Sequence, residues 1–258
     1  MTAAAHRFRL LLAFVLAVIL AACAAPSADR KKEADARMQM GGRYLEQRNL
    51  PMAMQELTRA SELDPGNPEI DMMLGMAYQA RGDLAKAEEY LRKAIDKKPD
   101  YAEAHNNLGF VLASQKRWKE AAREFEAAAE NVLYRTPEIA YYNLGEAYRM
   151  QNDPARAEEA YRRSLQANDR YAPASVGLAS VLGEKGKWED AAAVLARCVE
   201  WTPDYAPGWM ELGRVNVRLK RTAEARKDFH TVLSVTSDPE LRKQAAGYLS
   251  ILESEKRR

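Results

Sequence analysis

Residues 106–145 read NNLGFVLASQKRWKEAAREFEAAAENVLYRTPEIAYYNLG. Two Asn-Leu-Gly triplets, Asn107-Leu108-Gly109 and Asn143-Leu144-Gly145, bracket one helix–turn–helix unit. Gly109 and Gly145 carry no Cβ, so a second helix can lie close against the first at those points. Ala121 and Phe125, one turn apart, supply the facing surface, small and then large.

The unit recurs along the chain. Met40-Gly41-x-x-Tyr44 leads to Ala53, Leu57, Ala60 and Pro65, and Leu74-Gly75-x-x-Tyr78 leads to Ala87, Leu91, Ala94 and Pro99. Leu144-Gly145-x-x-Tyr148 leads to Ala157 and Tyr161, and Leu178-Ala179-x-x-Leu182 leads to Ala191, Leu195, Cys198 and Pro203. Trp209-x-x-Leu212-Gly213 leads to Ala225 and Phe229. On these residues the chain resembles the tetratricopeptide repeat family over six units. The repeat positions are Gly41, Gly75, Gly109, Gly145 and Gly213, with Ala53, Ala87, Ala121, Ala157, Ala191 and Ala225.

The resemblance implies an all-α fold, a right-handed superhelical solenoid of six helix-turn-helix repeats. Their bounds fall at about 34–67, 68–101, 102–137, 138–171, 172–205 and 206–238. The register slips once, where two extra residues fall between Asn131 and Pro137. Beyond Pro239, the helical spacing of Leu241, Ala245, Tyr248, Leu249 and Leu252 predicts a capping helix over 239–258, with Lys243 and Glu253 on its polar side. Gly82-Asp83 and Asn152-Asp153-Pro154 are each read as closing one helix and capping the next, and Thr136-Pro137-Glu138 likewise.

Composition suits this reading. Charged residues make up 29% and aromatics 8%, which fits amphipathic surface-rich helices and excludes a disordered chain. The formal net charge of +2 is matched by Arg7 and Arg9 near the start. A chain lacking them is neutral and offers no electrostatic case for nucleic acid.

His6-Arg7-Phe8-Arg9 followed by an apolar run to Ala22 reads as a secretory leader over 1–22. The run is shorter than the ~20 residues a membrane-spanning helix needs. Leu20-Ala21-Ala22-Cys23 resembles the bacterial lipoprotein signal. That resemblance implies acylation of Cys23, which becomes the new N-terminus and anchors the protein in a membrane through lipid. Ala24 stands where an aspartate would favour retention at the inner membrane, so the implied location is the periplasmic face of the outer membrane. Residues 23–33, small and then charged, are read as the acylated end and a tether.

Catalytic constellations are lacking. The histidines are His6, His105 and His230, without metal-ligand spacing, and His105 takes a large packing position. No Gly-x-Ser-x-Gly elbow occurs, and Gly183-Glu184-Lys185-Gly186-Lys187 lacks the spacing and hydroxyl of a phosphate loop. The acidic pairs Glu88-Glu89 and Glu158-Glu159 diverge around a helix. Cys198 stands where other repeats carry Ala60, Ala94 or Ala128 and reads as a structural thiol without a disulfide partner. The expectation is a protein that is no enzyme, with no metal, no small-molecule substrate and no cofactor beyond a lipid on Cys23.

Function then falls to the surface. In the family resembled, the first helices of the repeats line a groove that receives a peptide. The repeat phase puts Met38, Leu45, Met72, Met76, Phe110 and Tyr142 along it, an adaptable apolar partner-binding groove. Farther on, the same phase gives Ser180, Gly183, Glu211, Arg214 and Arg218. The competing reading is that the apolar residues pack against neighbouring helices or under the tether. Asn107 and Asn143 match part of a carboxylate-clamping pattern, but its basic positions do not appear.

Leader, lipoprotein signal and repeats together resemble the type IV pilus biogenesis lipoproteins, the pilotins of the pilus secretin. The correspondence rests on residues 106–109, Gln115-Lys116-Arg117-Trp118-Lys119-Glu120-Ala121, and the expanded loop with Leu133-Tyr134 before Asn143-Leu144-Gly145. It implies an adaptor-chaperone that binds secretin subunits through the apolar groove and promotes their localisation and multimer assembly at the outer membrane. The rival expectation is a lipoprotein scaffold for another envelope complex, such as a cell-wall hydrolase adaptor or outer-membrane protein assembly.

Overall fold

The structure is a computed structural model, and it describes residues 28–256; the expected leader, Cys23 and the first part of the expected tether lie outside the described residues. The described residues form thirteen α-helices and no strand. The chain divides after Pro99 into two compact units, a division that the even repeat pattern does not foretell.

The first unit holds α1 (Ala28–Glu46), α2 (Leu50–Leu63), α3 (Pro68–Ala80) and α4 (Leu84–Lys97). The helix α1 begins inside the stretch expected to be a tether. Its early turns are solvated, and Glu33 pairs with Arg37 four residues on at 2.9 Å. Arg37 in turn reaches Glu56 of α2 at 3.0 Å, so a charged stretch that reads as linker is the polar start of a packed helix. Helices α1 with α2, and α3 with α4, form antiparallel hairpins stacked through α2 and α3. Ala34, Met38, Leu57, Ala60, Leu63, Ile70, Leu74 and Ala77 make their shared core.

The second unit runs α5 (Ala102–Ser114), α6 (Trp118–Ala129), α7 (Pro137–Arg149), α8 (Pro154–Ala167), α9 (Ala172–Glu184) and α10 (Trp188–Trp201), then α11 (Ala206–Arg218), α12 (Thr222–Val235) and α13 (Pro239–Lys256). Each helix touches the next, and α7 also touches α9, as α9 touches α11. This is nearest-neighbour packing, in which each hairpin buries its apolar face only against the hairpins beside it. The last helix lays Ala245, Leu249 and Leu252 on Phe229 and Val232, and Tyr248 stacks on Phe229 at 4.7 Å.

Two local devices repeat in every hairpin. The first is the turn. Positive φ occurs at Arg48, Gly82, Lys116, Asn152, Gly186 and Lys220, at intervals of 34, 34, 36, 34 and 34 residues. The single interval of 36 is the register slip. The second is close approach. A Cβ placed on Gly41, Gly75, Gly109, Gly145 or Gly213 would fall 2.6–2.7 Å from Leu57, Leu91, Phe125, Tyr161 or Phe229, always sixteen residues on. The fifth repeat instead sets Ala179 opposite Leu195, both buried. Ala53, Ala87, Ala121, Ala157, Ala191 and Ala225 are all fully buried beside these contacts.

Helix starts follow the residues present. Asp83 accepts from the Lys86 N–H and Asp153 from the Arg156 N–H, as their positions require. Thr136 is different: its side chain gives α7 no cap, and Pro137 alone begins the helix. The extra residues do not lengthen a helix. They widen the loop between α6 and α7, residues 130–136.

Candidate functional site

The apolar residues expected in a groove separate into three groups. Met38 is 9% exposed and belongs to the core of the first unit, which corrects its placement on a binding surface. The reason is local: the α1 face that carries Ala34 and Met38 is covered by Leu57, Ala60 and Leu63 of α2. Leu45 and Met72 are half-buried, and Leu45 packs on the same core. Met76 is 38% exposed, and Met40, at the repeat position where Leu74, Leu108 and Leu144 are buried, is 40% exposed. The side chain of Met73 covers Gly42, where a Cβ would fall 2.9 Å from its terminal methyl. Methionines thus dominate the accessible apolar surface of the first helices in this unit.

In the second unit Phe110 is 51% exposed, whereas Tyr142 is a packing residue. Tyr142 meets Tyr171 edge-on at 5.7 Å and Tyr161 at 6.0 Å. Burial, with Glu146 nearby, pushes its phenol up to about 12. For Tyr142 the competing reading, packing between helices, describes the geometry.

The position after the repeat glycine shows why the polar residues are not free either. Phe110 occupies it in α5 and projects outward. Glu146 occupies it in α7 and is engaged twice, accepting from the Tyr161 hydroxyl and pairing with Arg149 at 2.9 Å. Arg214 occupies it in α11 and bonds Glu211 at 3.2 Å and Gln244 of α13 at 2.8 Å. Gly183 is buried under Trp188, and Arg218 lies over the same indole at 5.7 Å. Asn143 donates to Asn106 Oδ1 at 3.1 Å, so this amide joins α7 to α5.

Buried ionisable groups are paired. Glu56 is held by Arg37, and Asp71 by Lys97. Asp228 is 4% exposed and accepts from Asn216 Nδ2 at 2.7 Å; burial raises its carboxyl above the ordinary range. His105 contacts Glu124 at 2.7 Å, which ties α5 to α6. Cys198 is buried, 3.7 Å from the Thr202 hydroxyl, and desolvation raises its thiol, which keeps it protonated. It floors a cavity of about 330 Å³ walled by Leu165, Leu178, Val194 and Trp201. Among the described residues no three His, Cys, Asp or Glu side chains cluster to hold a metal ion.

Models of the tetratricopeptide repeat match residues 44–92 and 148–210, 100–170, and 75–116. The chain belongs to the tetratricopeptide repeat family. It is similar to the type IV pilus assembly protein PilF of Pseudomonas aeruginosa, 29% identical over 191 residues, covering 71% of this chain and 76% of that protein. The solved structure of Pseudomonas aeruginosa PilF superposes with a TM-score of 0.74 at 23% identity, over 85% of this chain and 99% of that one. PilW, a widely conserved type IV pilus biogenesis factor, superposes with a TM-score of 0.71 at 25% identity, over 81% and 97% of the two chains. The tetratricopeptide repeats here thus align with nearly the whole length of both solved structures.

Two surface features escaped sequence reasoning. Met40 sits one residue before a repeat glycine, and only the packed hairpin shows it outside. Val132 and Leu133, in the widened loop, are 96% and 80% exposed. The broken period marked their position but not their direction.

Proposed function

We propose that this protein is a lipid-anchored adaptor at the periplasmic face of the outer membrane. It binds secretin subunits and promotes their assembly into multimers during type IV pilus biogenesis. The observation that carries this reading is the similarity to PilF over most of both chains, supported by the likeness to PilW. The resemblance of Leu20-Ala21-Ala22-Cys23 to a lipoprotein signal supports the anchor. The surface chemistry agrees with an interaction role rather than catalysis: buried ionisable groups are consumed in packing, and exposed Met40, Met76 and Phe110 offer adaptable apolar contact.

The test is an immunoblot for heat- and detergent-resistant secretin multimers in cells lacking this protein, beside a complemented strain. Loss of multimers with monomer persisting, restored by complementation, is the expected result. Normal multimers in the outer membrane would overturn secretin assembly as the function.

A further inference from the structure

The loop over residues 130–136 carries the most exposed large apolar side chains among the described residues, Val132 at 96% and Leu133 at 80%. They are not at the end of a slack segment. Asn131 Nδ2 donates to the Asp100 carbonyl at 2.7 Å, while its Oδ1 accepts from the Leu133 N–H at 2.8 Å. The Tyr134 N–H closes the turn on the Asn131 carbonyl at 3.0 Å. The Tyr134 side chain packs beside Ala102, Ala128, Ala129 and Ala140. One asparagine therefore pins both ends of a two-residue apolar tip that contributes no burial to its own fold.

A convex, pre-ordered apolar tip fits a concave pocket, because little ordering remains to be done on binding. Its surroundings select among occupants. Glu130 precedes it in the chain, exposed Asp100 is tied to it through its carbonyl, Glu103 and Glu138 act on the Tyr134 hydroxyl behind it, and Arg135 follows it. The carboxylates of Glu130 and Asp100 beside the tip disfavour anionic lipid headgroups and complement a pocket edged by Lys or Arg.

We propose that Val132 and Leu133 form a docking knob that inserts into an apolar, basic-rimmed pocket on the protein partner. The identity of that partner as a secretin subunit rests on the function proposed above.

The test compares binding of purified secretin subunits to the full-length chain and to its Val132→Ser/Leu133→Ser variant. Both side chains are solvent-exposed, so the melting temperature should not move. Binding at least tenfold weaker in the double variant, and weaker in Asn131→Ala, is the expected result. Equal binding by the double variant would overturn the knob and leave the proposed function standing. No binding by the wild-type chain would overturn both. A Cys23→Ser chain that sediments with anionic phospholipid vesicles, and ceases to when the two serines are added, would assign the tip to a membrane surface and overturn the proposal.

Discussion

The Tyr161 ring rests directly on the bare backbone of Gly145: a Cβ there would lie 2.6 Å from Cε1. The same edge of the ring is equally close to Gly177 of the next repeat, where a Cβ would again lie 2.6 Å from Cε1. The ring cannot retreat, since the residue is fully buried and its hydroxyl donates to Glu146. Gly145→Ala should therefore destabilise by about 1–3 kcal/mol, an overpacking cost that outweighs the helix propensity gained. Gly247→Ala in α13 is the control, because nothing lies within 4 Å of the added Cβ. It should stabilise by up to ~1 kcal/mol. Denaturant midpoints measured side by side would check both signs.

The hairpin turns carry an unrelieved cost. Lys116 holds φ +61 with an ordinary side chain, where Gly82 and Gly186 hold the same place without a Cβ. Replacing Lys116 by Gly should stabilise by about 0.5–1 kcal/mol, the left-handed penalty less the extra unfolded-state entropy. Gly186→Ala should cost a similar amount. Thermal melts of the two variants test the pair, and a Gly at 116 that destabilises would refute the strain.

Stability should also depend on one buried carboxyl. Asp228 has its pKa raised by burial, so the folded state favours the protonated form. Its contribution is then fully present below the ordinary Asp value near 4 and is lost as pH rises through the folded value. Asp228→Asn keeps an acceptor for Asn216 and removes the charge. The variant should melt higher than wild type at neutral pH, with the difference closing at about pH 4. A gap that stays constant with pH would show that the carboxyl is not the cause.

Met38 and Met76 share the repeat phase of the expected groove but not a role. Met38→Ala should cost about 2–5 kcal/mol as a core truncation, while Met76→Ala should stay within about 0.5 kcal/mol. Met76→Glu should leave folding intact and weaken partner binding, and Phe110→Glu should do likewise in the second unit. Circular dichroism with a binding titration separates the two effects. Unchanged binding in both glutamate variants would remove the first-helix residues from the interface.

The repeats were legible because their determinants are local and periodic. Each glycine meets its large partner sixteen residues on, within one hairpin, so Gly109 and Phe125 announce the contact without knowledge of any other repeat. Turn chemistry is local too, and Asp83 and Asp153 cap where they stand. The two-residue slip was countable for the same reason. Exposure was not countable, because it depends on which side chains from other helices arrive. Met38 and Met76 both sit on first helices, yet α2 covers one and leaves the other in water. Tyr142 reads as surface until Tyr161 and Tyr171 close on it. Residues 28–33 read as linker because solvated charge looks alike in a tether and on a helix face. Thus the chain's own periodicity determined the family, the hairpins and their turns. Tertiary packing alone decided which apolar side chains are left to meet a partner, since burial is a property of neighbours and not of phase.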